Sequence, residues 1–177
     1  MQYFEEEQRF RQPWIWAILL LSLVVPLIVF GYAFIQQLIL NEPFGDKPAS
    51  DTGLVITAVP VLAILGGLTL LFYKMKLVTK LDSEHLHIVF SPLSRRDVAL
   101  NDIAHWQALT YRPILDYGGW GIRAGRRGWA YNVSGNRGVE LQLANGKKLL
   151  VGSQRPEELS AAISTAKRDN EGSPNSS

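Results

Sequence analysis

A glycine-rich stretch, GGWGIRAGRRGWAYNVSG from Gly118 to Gly135, carries the side chains of this chain that are best suited to binding chemistry. Three arginines lie within five positions, with a tryptophan on each side. Guanidinium groups and aromatic rings together favour an anionic membrane surface or, less well, nucleic acid. We therefore predict an interaction surface here; the alternative is a solvated loop whose tryptophans pack in the core. The candidate residues are Trp120, Arg123, Arg126, Arg127 and Trp129.

The same stretch also contains a pattern that is typical of dinucleotide-binding sites. Residues Gly119 to Ala124 match the pattern G-x-G-x-x-A. That pattern binds a pyrophosphate only where a helix follows and its N-terminus faces the phosphates. Here β-type residues follow, so the glycines indicate tight turns and close strand approach, and we predict no nucleotide cofactor.

The residue types also give no indication of a catalytic or metal-binding site. The chain has no cysteine, which excludes disulfides, thiol catalysis and the usual structural zinc sites. His85 and His87 share one face of a predicted strand. Two imidazoles without a third ligand make a weak metal site, so we predict an exposed polar face instead. We predict no metal, no cofactor and no enzymatic activity, because no acid–base pair or activated nucleophile is recognisable.

Two uncharged segments come before the β-type sequence. Trp14 to Ile35 spans 22 residues, about 33 Å as a helix, and Leu54 to Tyr73 spans 20. Both lengths suit a hydrocarbon core of about 30 Å. The first run is too long for a signal peptide and no cleavage site follows it. The sequence therefore predicts a hairpin of two membrane-spanning helices, with Pro26 and Pro60 near their middles.

Basic residues predict the orientation of this hairpin. Arg9 and Arg11 precede the first span, and Lys74, Lys76 and Lys80 follow the second, whereas the connecting loop has one lysine against three acids. The positive-inside rule then places both termini in the cytoplasm. We predict a cytoplasmic N-terminal segment at 1–13, transmembrane helices at 14–40 and 54–73, an extracytoplasmic loop at 41–53, a cytoplasmic domain at 74–168 and a disordered tail at 169–177.

The cytoplasmic part follows a period of two, which indicates short strands. Strands are predicted on both sides of the turn Asp82–Glu84, from Ser94 to Leu100, and from Asp102 to Arg112. Two hairpins follow, one across residues 118–133 and one across Asn145-Gly146, for which we predict a type I′ turn. Pro156 opens an amphipathic helix with Leu159, Ala162, Ile163 and Ala166 on one face. The order of about seven strands and one helix predicts a bent antiparallel sheet or partly open barrel of pleckstrin-homology (PH) type.

Four segments carry a resemblance to a known family: GGWGIR, AYNVSG, GVELQLANGKK and GSQRPEEL, together with the preceding hairpin of spans. The chain resembles small prokaryotic membrane proteins that have two N-terminal helices and a cytoplasmic bacterial PH-like domain, over residues 14 to 166. The resemblance implies a bacterial inner-membrane location and a fold, but no activity. Phosphoinositide binding is not implied, because the turn Asp82–Glu84 is short and acidic where PH domains carry a basic loop.

Charge gives the last indication of function. Thirteen lysines and arginines stand against six acids between Lys74 and Arg155, although the whole chain has a formal charge of only +2. A basic domain tethered to a membrane faces an anionic surface. We predict a membrane-anchored, non-enzymatic binding or scaffolding module whose partners are the bilayer and a protein or second copy, and not nucleic acid. The alternative is an accessory subunit of a membrane enzyme or transport complex, contacted through the small residues Ala63, Gly66 and Gly67.

Overall fold

A computed structural model describes residues 1–45, 48–125 and 128–172 of the 177-residue chain. The chain forms two compact units, and the first of them is discontinuous. It combines Met1–Phe10 with the chain from Met75 onward, while Arg11–Lys74 form the second unit. The helices are therefore an insertion in the β-rich unit and do not simply precede it.

The helical unit consists of α1 (Pro13–Phe34), a π-helical turn at Ile35–Ile39 that continues it, and α2 (Asp51–Lys74). Both helices are long and apolar enough to cross a membrane, and only 6% and 11% of their most apolar windows are buried. Such exposure distinguishes them from the core helices of a globular domain. The predicted prolines, Pro26 and Pro60, lie inside the two helices.

The contact between α1 and α2 does not use the predicted small-residue face. Trp16 and Tyr73 meet edge to face with ring centroids 6.5 Å apart. Ala63 is exposed, and a Cβ atom added to Gly66 or Gly67 would meet no atom within 4 Å. This face of α2 is consequently open along the described chain.

The first sheet of the β-rich unit is antiparallel, with the order β1-β2-β3-β4. Its strands are β1 (Gln2–Arg9), β2 (Lys76–Asp82), β3 (His85–Ser91) and β4 (Ser94–Ala99). The residues that face the core alternate along each strand, as a period of two requires. They include Phe4, Leu77, Leu81, Leu86, Ile88 and Phe90.

The second sheet has five strands in the order β5-β8-β9-β7-β6. After a 3₁₀ turn at Leu100–Asp102 come β5 (Ile103–Thr110), the short helix α3 (Pro113–Tyr117), β6 (Gly121–Gly125), β7 (Gly128–Asn132), β8 (Arg137–Leu143) and β9 (Lys148–Gly152). Strand β9 inserts between β8 and β7 and runs parallel to β7. Val139, Leu141 and Leu143 of β8 are buried in the core.

The last element, α4 (Pro156–Gly172), confirms the predicted C-terminal helix. Leu159, Ile163 and Ala166 are fully buried, as the spacing of its apolar residues indicates. The helix continues past residue 168, where the sequence placed the end of the domain, because Asp169 accepts a hydrogen bond from the Tyr3 hydroxyl at 2.7 Å and Asn170 binds the Ser83 carbonyl. Residues 173–177 of the predicted tail lie outside the described chain.

Three details of the predicted β domain are wrong. Within the described residues the sheets contain nine strands and not about seven, and residues 2–9, assigned to a separate N-terminal segment, form one of them. The domain is not wholly antiparallel, because β7 and β9 are parallel. The Asn145-Gly146 hairpin exists, but only Gly146 has a positive φ, +78°, so its turn is not type I′.

Gly138 shows why this part of the chain is rich in glycine. Gly135, with a φ of +73°, lies between β7 and β8, whereas Gly138 lies inside β8. A Cβ atom on Gly138 would come within 2.5 Å of the Val151 carbonyl oxygen on β9. The glycine therefore permits close strand approach, which a side chain would prevent.

Candidate functional site

Two of the five predicted interaction residues lie together. The indole Nε1 of Trp120 donates a hydrogen bond to the Gly135 carbonyl at 2.8 Å, which fixes the ring across the end of the β6–β7 hairpin. The guanidinium Nε of Arg123 donates to the Trp120 carbonyl at 3.1 Å, and the rest of this side chain is exposed. Trp120 and Arg123 thus form one local group.

Trp129 does not belong to that group. In the β6–β7 register Arg123 pairs with Ala130, whereas Trp129 pairs with Ala124. Because neighbouring residues of a strand point to opposite faces, Arg123 and Trp129 lie on opposite faces of the sheet. Trp129 is 47% exposed and lies near the start of β7, about 13 Å along the hairpin from Trp120. Arg126 and Arg127 lie outside the described residues.

A groove that the sequence analysis missed lies beside Trp120. It is lined by Trp120, Tyr111 and Asn136 and by the first residues of α3, and it encloses about 390 Å³. The α3 side chains Ile114 and Leu115 are 66% and 75% exposed. One sequence signal was available: Pro113 begins this short helix and Gly118, with a φ of +74°, ends it.

Hydrogen bonds within the sheet hold this groove in place. Asn132 is fully buried; its Oδ1 accepts from the Gly121 amide at 2.9 Å, and its Nδ2 donates to the Tyr111 hydroxyl at 3.0 Å. Burial raises the pKa of Tyr111 to about 12, so the hydroxyl stays neutral. The Tyr111 and Tyr117 rings meet edge to face at 5.9 Å. One amide side chain therefore joins β6, β7 and the segment that leads into α3.

Gly125 allows α3 to lie directly on β6. A Cβ atom at this position would come within 2.6 Å of the Asp116 carbonyl oxygen and 2.9 Å of the Tyr117 ring. The Gly119–Ala124 segment that matched the dinucleotide pattern accordingly runs into an antiparallel hairpin under α3. No helix N-terminus follows it, so the arrangement that a pyrophosphate needs is missing from this segment.

A histidine with a shifted pKa, His87, lies on the outer face of the first sheet. His87 Nδ1 is 2.5 Å from Asp97 Oδ1, and its Nε2 is 2.8 Å from Asp82 Oδ2. Both carboxylates favour the imidazolium form, with Asp97 the stronger influence, and they raise the pKa of His87. The His85 ring stacks on it at 5.9 Å, which confirms that the two histidines share a face.

The carboxylates beside His87 are shifted in the opposite direction. The amides of Glu84 and His85 donate to Asp82 and, together with His87, lower its pKa to about 2. The His87 imidazolium is the main cause of a lowered pKa at Asp97. Because the two carboxylates occupy different ring nitrogens, they do not converge on one point, and no three His, Cys, Asp or Glu residues in the described ranges are arranged to hold a metal ion.

A second polar group lies inside the β-rich unit. Glu6 on β1 is 7% exposed and accepts hydrogen bonds from the Ser153 hydroxyl at 2.6 Å and the Gln154 amide at 2.8 Å. Gln8 Nε2 donates to the Gly152 carbonyl at 2.8 Å. These bonds join β1 to the segment before α4, so their role is structural.

Protein-family models, curated proteins and solved structures give no match to this chain.

Proposed function

We propose that this chain is a membrane-anchored, non-enzymatic binding or scaffolding module. Its two helices cross the cytoplasmic membrane of a bacterium, and its β-rich unit is a PH-like domain on the cytoplasmic side. The observation that carries this proposal is the insertion of the helical hairpin between two paired strands, β1 and β2.

Strand pairing limits the possible topologies. Arg9 pairs with Lys76, and the register continues to Phe4 and Leu81. Strands separated by a bilayer cannot form this ladder, because the backbone groups of a sheet must meet at about 4.8 Å. If the helices insert, both must therefore cross, and residues 1–10 and the chain after Met75 must lie on one side. The cations Arg9, Arg11, Lys74 and Lys76 favour the cytoplasm for that side.

The PH-like identity is supported by part of the architecture. A four-stranded antiparallel sheet, a second sheet and a C-terminal helix that buries Leu159 and Ile163 follow the expected order. The parallel β7–β9 pair is a departure from that pattern. We therefore propose a variant of the fold, and we assign no ligand by analogy with it.

Topology reporters test the anchoring. Alkaline phosphatase is active only outside the cytoplasm, and green fluorescent protein folds reliably only inside it. Fusions of each to Ser177 and into the loop after Leu40 should give cytoplasmic and extracytoplasmic signals, respectively. An extracytoplasmic signal from the C-terminal fusion would contradict the proposed orientation.

A protein partner or a second copy is the proposed binding target of the module. The open face of α2 favours, as the second candidate, an accessory subunit of a membrane enzyme or transport complex. Gly66 and Gly67 have free space beside them and so allow another helix to approach closely. A photo-crosslinker at Ala63 distinguishes the two: capture of a different membrane protein supports the accessory subunit, whereas a crosslinked dimer or no product supports the scaffold.

A further inference from the structure

Exposed large apolar side chains lie toward both ends of the strands in the β-rich unit, with Met1 and Trp129 at one end and Leu93, Ile114 and Leu115 toward the other. Among its described residues, the large apolar side chains that are most exposed are Met1, Leu93, Ile114, Leu115 and Trp129. Leu93 follows Ser91, which pairs with Lys76 at the start of β2. Leu93 therefore lies at the end of the first sheet where the chain passes into both helices, here called the exit end.

Hydrogen bonds show that α3 also begins at the exit end. Gln8, two residues before the chain leaves β1 for α1, binds the Gly152 carbonyl on β9. The Ser153 amide then donates to the Arg137 carbonyl at 3.1 Å, and the Tyr111 amide donates to the Asn136 carbonyl at 2.8 Å. Two strand spacings, about 10 Å, separate β9 from β5, which leads into α3.

Short connections join the exit end to α1 and α2 along the chain. Helix α1 begins at Pro13, three residues after Phe10, and α2 ends at Lys74, one residue before Met75. At no more than about 3.6 Å per residue, these linkers reach only roughly 4–11 Å. If the helices span a bilayer, its surface is within reach of the exit end.

The chemistry around α3 suits an anionic bilayer. Ile114 and Leu115 are aliphatic and exposed, and Trp120 lines the groove behind them. Arg112 and Arg123 are exposed, and among the described residues neither has a carboxylate within salt-bridge distance. This combination of apolar side chains, an indole and cations is typical of segments that enter a membrane interface.

We propose that α3 is an interfacial anchor: Ile114 and Leu115 enter the headgroup region of the membrane that the two helices span, and Arg112 and Arg123 contact its phosphates. The bilayer is thus the ligand of the groove beside Trp120. This inference rests on the proposed membrane anchoring, and it adds a third point of attachment, which fixes the orientation of the β-rich unit on the membrane.

Single-cysteine labelling of the full chain tests the proposal, since the chain has no cysteine of its own. The variant Leu115→Cys carries an environment-sensitive fluorophore and is reconstituted into vesicles of phosphatidylcholine and phosphatidylglycerol in equal parts. Ala144→Cys, in the exposed β8–β9 turn at the other end of the sheet, is the matched control. Ile64→Cys, exposed on α2, reports whether the helix lies in lipid.

Quenching by two lipids gives the readout. One carries a doxyl group high on its acyl chain and is used for Leu115→Cys and Ala144→Cys; the other carries it near the end of the chain and is used for Ile64→Cys, in the middle of α2. We expect loss of fluorescence at Leu115→Cys and not at Ala144→Cys, because an interfacial side chain lies about 5–10 Å below the headgroups. Quenching deep in the bilayer at Ile64→Cys but none at Leu115→Cys overturns the anchor alone. Absence of quenching at Ile64→Cys overturns the proposed membrane anchoring itself. Near-ultraviolet circular dichroism of each variant verifies that the fold is retained.

Discussion

Phe4→Ala tests whether the N-terminal strand is an essential part of the β-rich unit. The Phe4 ring is 6% exposed, and the Arg155 guanidinium lies over it at 5.0 Å. Truncating a buried phenylalanine costs about 3–5 kcal/mol, against a typical domain stability of about 5–15 kcal/mol. Since each 1.4 kcal/mol is a factor of ten, the amides that exchange only on global opening should exchange roughly 10²- to 10⁴-fold faster.

Hydrogen exchange of the full chain in detergent micelles measures this effect. The relevant amides are those of β8 and β9, because these strands belong to the second sheet and do not pair with β1. Tyr3→Phe is the matched control: it removes only an exposed hydrogen bond to Asp169 and should change stability by less than about 0.5 kcal/mol. Equal exchange in the two variants would show that β1 does not share the cooperative unit, and our account of the discontinuous domain would be wrong.

Three further changes should have measurable effects. Leu141→Ala removes a fully buried side chain of β8 and should lower the free energy of unfolding by about 2–5 kcal/mol; a near-neutral result would contradict the strand register. Asn132→Ala leaves two buried groups without partners and should cost about 1–3 kcal/mol by denaturant titration, with faster exchange at Gly121. The raised pKa of His87 implies stabilisation that is complete below the unfolded pKa of about 6.5 and is lost as pH rises through the folded pKa; His87→Gln should abolish this dependence, and an unchanged pH profile would refute the role of the Asp97 contact.

The features predicted correctly are those that depend on neighbours in sequence. The apolar runs, the turn at Asp82–Glu84 and the stripe on α4 each follow from composition or a local period. The Asn145-Gly146 hairpin was found for the same reason. The predicted type I′ turn was wrong, because that type needs a positive φ at both central residues and only Gly146 has one.

Strand β1 was missed because its inner face is not apolar. Its buried positions alternate as expected, but two of them are Glu6 and Gln8. A buried carboxylate is tolerated only where donors are already positioned for it, and here they come from Ser153 and Gln154, nearly 150 residues away. No local pattern can reveal such a partner.

The predicted grouping of Arg123 with Trp129 was wrong for a related reason. Closeness in sequence suggested that Arg123 and Trp129 act together, but strand alternation places them on opposite faces. Helix α3 escaped notice because a five-residue helix has almost no propensity signal of its own. The residues that position it are Gly125 of β6 and Asn132 of β7, and both follow it in the sequence.

The insertion of the helices between β1 and β2 has a consequence for assembly. Arg9 and Lys76 are neighbours in the sheet although the whole helical unit separates them in sequence. Closing so long a connection in a disordered chain is entropically costly, but a preformed antiparallel hairpin already brings its two ends together. We therefore expect α1 and α2 to associate before β1 can join the sheet. A one-residue slip of β1 would then expose Phe4 and bury Glu5 in its place, so the relative position of the two helix ends and the register of the β sheet must be set together.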